Sequence, residues 1–179
     1  MKNTTLCSLF VFSAALTIAT SFVRADNWSE RWTYERDENV DVFPGNQLSL
    51  DLFGTYANHD RFGRDRDMGG GGVGLDYFIT RYIGISVDSR LEEWKTPYRV
   101  DGDLVLRLPL QGKWMGCAPY VLGGGGREFR YVPQYDWNAG LGFEFRFNPY
   151  TGLFADARRI FPDTTVDYTV VRAGVRIGF

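Results

Sequence analysis

Asp88-Ser89, with Trp94 downstream and the chain's single histidine, His59, upstream, is the constellation closest to nucleophilic chemistry. Acyl transfer would use His59 as base, Ser89 as nucleophile or polar partner, and Asp88 to orient the base. In an extended strand, however, adjacent side chains point to opposite faces. Alternation therefore separates Asp88 from Ser89 and leaves a nearby arginine as the expected partner of Asp88. Gly69–Gly72 and Gly123–Gly126 have the glycine density of phosphate loops. Neither is followed by a Lys-Ser/Thr pair or by a helical pattern, so both are expected to serve strand packing. His59 with Asp60 and Asp65 fixes no metal geometry. No metal or cofactor is expected.

The elements that must position these residues are strands. Tyr168–Phe179 alternates strictly: Thr169, Val171, Ala173, Val175, Ile177 and Phe179 on one face, Tyr168, Val170, Arg172, Gly174, Arg176 and Gly178 on the other. Such a strand needs an apolar medium on one side and a polar space on the other. Similar runs recur between turn signals: Gln47 to Asn58, Gly70 to Ile79, Tyr82 to Glu92, about Tyr98 to Leu110, Cys117 to Phe129, Tyr135 to Phe147 and Thr151 to Phe161. With the terminal run they make eight, each near the ten residues that cross a bilayer at a tilt. Eight is the smallest even number that closes a membrane barrel. The expected fold is an all-β, eight-stranded, antiparallel up-and-down transmembrane β-barrel spanning 47–179.

The apolar faces carry Leu48, Leu50 and Leu52; Val73, Leu75 and Tyr77; Ile83, Ile85 and Val87; Leu104, Leu106 and Leu108; Ala118, Tyr120 and Leu122; Leu141, Phe143 and Phe145; Leu153, Ala155 and Ala157. If these face lipid, the lumen receives Asp51, Asp76, Asp88, Arg90, Asp103, Arg107, Arg127, Glu144, Arg146, Asp156, Arg158, Arg172 and Arg176. Charges so confined must pair, because each unpaired one costs several kcal/mol to desolvate. Lysine occurs only at positions 2, 95 and 113. Arginine suits bidentate, partly buried pairing, whereas solvated surfaces use lysine freely. Gly72, Gly74, Gly84, Gly140, Gly142, Gly174 and Gly178 share the inner face and leave room for arginine. The competing soluble barrel would turn the leucines and phenylalanines inward around an apolar ligand.

Short connections (Thr80-Arg81, Gln111 to Gly116, Asn148-Pro149-Tyr150) alternate with mostly longer polar ones (His59 to Gly69, Glu93 to Pro97, Arg130 to Gln134). Short turns mark the periplasmic end of such barrels, which would place both termini there. Aromatic residues cluster at strand ends, at headgroup depth. Residues 1–25 read as a secretory signal peptide: one early charge, an apolar run from Leu6 to Ala19, and Val23-Arg24-Ala25 before the cut. Residues 26–46 read as a charged, tryptophan-containing periplasmic extension. About 150 residues remain after cleavage, enough for one domain. The net charge of −2 falls to −4 once Lys2 and Arg24 leave, because 1–25 contains no acid. Nucleic acid is therefore not an expected partner. Cys117 remains alone and is expected to be a packed thiol.

Ala118-Pro-Tyr-Val-Leu-Gly-Gly-Gly-Gly126, Trp137-Asn-Ala-Gly-Leu-Gly-Phe-Glu-Phe-Arg-Phe-Asn-Pro149 and the terminal strand resemble the small outer-membrane β-barrel family typified by the transmembrane domain of outer-membrane protein A. The resemblance spans roughly 47–179. It implies a bacterial outer-membrane protein, a lipid bilayer and lipopolysaccharide as surroundings, and barrel-assembly machinery that reads Val175, Ile177 and Phe179 as an insertion signal. It also implies a monomer. Its expected role is structural or interactive around a plugged lumen, and the alternative is a narrow pore for ions or small solutes. A third reading is enzymatic. Asp26 to Tyr34, Gly69 to Gly74 and Asp88-Ser89 before Trp94 are similar to features of the lipid A palmitoyltransferase. In that family the histidine lies within the first strand, at a place matching Asp51 here, whereas His59 is expected in the loop beyond.

Overall fold

The computed structural model describes residues 41–61, 64–92, 96–111, 115–129, 134–163 and 166–179. The expected signal peptide and most of the expected extension, residues 26–40, lie outside the described residues. Nine strand segments follow in order: β1 (Gln47–Arg61), β2 (Arg64–Phe78), β3 (Ile83–Glu92), β4 (Thr96–Arg107), β5 (Leu110–Gln111), β6 (Gly116–Glu128), β7 (Gln134–Asn148), β8 (Thr151–Pro162) and β9 (Tyr168–Gly178). β4 and β5 are one strand interrupted at Leu108-Pro109. Pro109 has no amide hydrogen for a ladder, while the Leu108 amide still donates to the Pro119 carbonyl at 2.8 Å.

Apart from β4 and β5, which are one strand, each segment pairs antiparallel with its sequence neighbour. Two further pairings complete the ring: β4 with β6, and β1 with β9. In the last of these Ser49 faces Gly178 and Asn58 faces Thr169. The result is a closed eight-stranded barrel, which removes the exposed edges an open sheet would leave. No helix among the described residues is long and apolar enough to cross a membrane.

Exposure decides which face is inside. Leu104, Leu141 and Val175 are 52%, 67% and 39% exposed, whereas Arg146, Arg158 and Arg176 are 1%, 1% and 4% exposed. Most of the described leucines, valines and phenylalanines form the outer wall, and arginines and carboxylates crowd the axis with a few inward rings. The soluble ligand-carrying alternative, which needs the reverse, is excluded.

Two expectations are corrected. The first is the loop at His59–Gly69. β1 runs through Arg61 and β2 starts at Arg64, with His59 opposite Arg66 and Asp60 opposite Asp65. Ladder pairing uses backbone groups, so a charged segment can continue a hairpin. His59 is therefore a strand residue. The second is the facing of β6. Ala118, Tyr120 and Leu122 are buried in the lumen, while Val121 is 55% exposed outside. The even-numbered residues of β6 point inward and the odd ones outward, so Arg127 belongs to the outer surface.

Candidate functional site

The interior is a stack of ion pairs, and the strand alternation places every member. At the end bearing the short turns, residues 41–46 bend into the mouth. Asn46 makes the turn with φ of 53°, a left-handed conformation that asparagine tolerates. Phe43 is fully buried there. The guanidinium carbons of Arg107 and Arg146 lie 5.1 and 5.3 Å from its ring centre. Arg107 donates through Nη2 to the Pro44 carbonyl at 3.2 Å and through Nε to the Arg81 carbonyl at 2.8 Å. Arg146 donates to Glu144 and Gln47, and to the Pro149 carbonyl at 3.0 Å.

One layer further in, Arg176 reaches across the lumen from β9. Its Nε and Nη2 donate to both Asp51 oxygens at 2.8 and 2.6 Å, a bidentate fork. Nη1 donates to Glu144 of β7 at 2.9 Å, and Nη2 also meets Asp76 of β2. One side chain thus ties four strands together.

The middle layer centres on Arg172 and Arg158. Arg172 grips Asp156 bidentately at 2.9 and 2.7 Å and holds Asp88 at 2.7 Å. Arg158 lies 3.0 Å from Asp88 and also pairs with Asp103 and Asp156. The Tyr120 hydroxyl donates to Asp156 at 2.9 Å, and the Asn138 amide donates to Asp103 at 2.8 Å. Phe53 and Phe154 meet edge to face with centroids 6.1 Å apart. The Arg172 guanidinium lies over the Phe53 ring at 4.6 Å.

At the far end Asp101 accepts from Arg90 at 3.0 Å and from Arg99 Nε at 2.6 Å. Arg99 also bonds the Tyr168 hydroxyl at 3.1 Å and pairs with Asp136. Gln134 donates to Glu128 at 2.8 Å.

Close approach makes glycine necessary at one inner position. A Cβ on Gly142 would stand 2.6 Å from the Tyr120 hydroxyl oxygen and 2.7 Å from the Asp156 Cβ. Tyr120 cannot swing away without breaking its bond to Asp156. Gly142→Ala is expected to cost about 1–3 kcal/mol of overpacking, read as a lower urea midpoint for the unboiled, fast-migrating form on gels.

Among the residues that the sequence assigned to the lumen, the structure brings Asp51, Asp76, Glu144, Arg107, Arg146 and Arg176 into one group. Asp88, Asp103, Asp156, Arg158 and Arg172 form a second. Arg90 sits with Asp101. Arg127 is the exception: it is exposed outside, with its guanidinium 5.4 and 5.2 Å from the Phe129 and Tyr135 ring centres. The structure adds Arg99, Asp101, Glu128, Asp136 and the inward rings Phe53, Phe78 and Phe154 to the interior, all buried. The first two share parity with Asp103, and Asp136 shares it with Glu144, so extending each alternation to its strand end would have found them.

Asp88 and Ser89 of the acyl-transfer constellation face opposite sides of the wall, and Trp94 lies outside the described residues. Asp88 points inward to two arginines, and Ser89 lies on the outer face, with Val73 and Val100 as its strand neighbours. His59 is near the far end of β1. No metal-binding cluster of three or more His, Cys, Asp or Glu occurs among the described residues. Val175, Ile177 and Phe179 line the outer face of the final strand, and the Phe179 amide donates to the Leu48 carbonyl at 2.8 Å.

An apolar wall around a charged, cross-linked axis defines the class: a small eight-stranded barrel of the transmembrane type. Solved structures agree on the fold. The chain is similar to the N-terminal β-barrel domain of Pseudomonas aeruginosa OprF, with a TM-score of 0.58 and 17% identity over 75% of this chain and 98% of that one. It is also similar to Neisserial surface protein A, with a TM-score of 0.55 and 14% identity over 74% and 97%. A de novo designed transmembrane β-barrel matches with a TM-score of 0.52 and 13% identity over 75% and 97%. No protein-family model matches the chain, and no curated protein does.

Proposed function

We propose that this chain is an integral protein of the bacterial outer membrane, with a closed interior and a structural or surface-interaction role. The observation that carries this reading is Arg176. It joins β9 to Asp51, Asp76 and Glu144 on three other strands and so spans the axis where a pore would need open water. Arg172 and Arg158 repeat the arrangement one layer on. Eight strands leave an interior just wide enough for side chains to fill. The outer wall of leucine, valine and phenylalanine matches acyl chains. The short turns lie at the end where residues 41–46 enter, so this end faces the periplasm in the proposed orientation. Barrel-assembly machinery would read Val175, Ile177 and Phe179 on the outward face of the last strand. Lipopolysaccharide would surround the opposite rim. The protein would act as a monomer, since closure leaves no strand edge for a second copy.

Planar-bilayer recording tests the closed interior. The reconstituted protein is expected to give no reproducible open-channel steps. Steps that disappear on swapping Arg158 or Arg172 would instead establish a narrow pore. Mass spectrometry of lipid A from cells with and without the protein is expected to show one unchanged profile; a difference in acylation would restore an enzymatic reading.

A further inference from the structure

Arg127 is a cation on the outer wall of the barrel. It is the penultimate residue of β6 and projects from the outer wall, directly opposite Tyr135 in the strand register. No carboxylate lies within ion-pair distance of it among the described residues. Phe129 and Tyr135 flank its guanidinium, and Trp137, the next outward residue on β7, is 71% exposed. Trp137 pairs in register with Phe161 of β8. Arg159, two residues before Phe161, is another outward arginine, and its side chain is 49% exposed. Arg159 is already partly engaged: it bonds the Thr169 hydroxyl at 3.1 Å and lies 3.9 Å from Asp167. The two cations therefore bracket an aromatic strip across three adjacent strands, at the end remote from the short turns.

Two physical facts choose the occupant. A lipid-facing arginine costs roughly 2–4 kcal/mol at the bilayer midplane but about 0–1 near the interface. The site must therefore lie at headgroup depth, where the anionic group within reach is phosphate. A guanidinium is also the side chain that best matches phosphate oxygens in a bidentate fork. The exposed faces of Tyr135 and Trp137 can pack on the C–H face of a sugar.

We propose that Arg127, with Tyr135 and Trp137, forms a binding site on the barrel wall for the phosphorylated sugar headgroup of an outer-leaflet glycolipid, with Arg159 as a weaker second contact. This rests on the outer-membrane reading and its orientation.

The test uses the full barrel refolded into phosphatidylcholine vesicles containing bisphosphorylated lipid A, dephosphorylated lipid A, phosphatidylglycerol or no additive. The readout is the urea midpoint of the heat-modifiable band. Bisphosphorylated lipid A is expected to raise the midpoint, and the dephosphorylated form is not. Arg127→Gln should match wild type in plain phosphatidylcholine but need about fivefold more lipid A for the same increment, one cation's share of surface attraction. Arg159→Gln should shift this requirement less, because Asp167 already shares its charge. An increment unchanged in Arg127→Gln, or matched by dephosphorylated lipid A or by phosphatidylglycerol, would overturn the glycolipid site while leaving the barrel reading intact. Failure to yield a heat-modifiable band in any vesicle would overturn the membrane reading itself, and the site with it.

Discussion

Replacing Arg176 by methionine is expected to destabilise the barrel by about 3–5 kcal/mol, the usual effect of stripping one partner from a buried charge pair. The reason is what stays behind. Asp51 loses a bidentate fork, Asp76 loses its cation, and only Glu144 keeps other arginines, Arg107 and Arg146. Water cannot easily replace a guanidinium that is 4% exposed and packed 5.1 Å from the Phe154 ring centre. Arg107→Met is the internal comparison. Its ion pair to Glu144 is long, 3.5 Å, so the loss should be clearly smaller. A triple variant, Arg176→Met with Asp51→Leu and Asp76→Leu, should recover most of the deficit, because an apolar replacement of the whole group removes the stranded charges. Urea titration of the unboiled band in vesicles measures all four proteins. Wild-type stability in Arg176→Met would show that the axial charges are solvated and not mutually paired.

Those expectations depend on facing, and the sequence made facing legible only where polarity contrasts. In Val171-Arg172-Ala173-Gly174-Val175-Arg176 the two faces differ at every step, so one alternation fixes both wall and lumen. β7, with Phe143-Glu144-Phe145-Arg146-Phe147, is equally plain. β6 offers no such contrast over Cys117-Ala-Pro-Tyr-Val-Leu-Gly-Gly-Gly-Gly126, where apolar residues and glycine occupy both faces. Tyr120 is inside because its hydroxyl finds Asp156 and its ring stands over Gly142, a contact between β6, β7 and β8 that no local pattern encodes. Arg127 inherits that ambiguity. The adjacent Glu128 has the opposite parity, and its register partner across β4 is Arg99, so tertiary pairing takes Glu128 inward and leaves Arg127 outside. The full length of the β1–β2 hairpin is hidden for a different reason. Charge suggests a loop, yet antiparallel backbone pairing makes no demand on side-chain polarity. The inward phenylalanines are not legible because an apolar side chain reads as lipid-facing. Phe53 and Phe154 instead pack against guanidinium faces.

Phe43→Ala is expected to have the second largest effect, about 3–5 kcal/mol, typical of truncating a buried phenylalanine. Phe43 lies before the first strand, where a charged extension gives no reason to expect burial. It is nevertheless fully enclosed, against Gly116 and between the guanidinium groups of Arg107 and Arg146. Its removal takes away both a ring volume and the aromatic face those cations rest on, each worth about 0.5–2 kcal/mol. Phe43→Leu separates the two contributions, since it keeps most of the volume and loses only the π face; it should fall between wild type and alanine. Neither variant is expected to open the barrel. The pair from Arg176 to Glu144 forms the next layer inward, and Arg176 rests on the Phe154 ring, not on Phe43. Bilayer recordings of Phe43→Ala should therefore stay silent while its urea midpoint falls. A large drop in stability accompanied by steady conductance would show that the aromatic cork, and not the ion pairs behind it, is what seals the axis. An unchanged midpoint would show that residues 41–46 do not occupy the mouth.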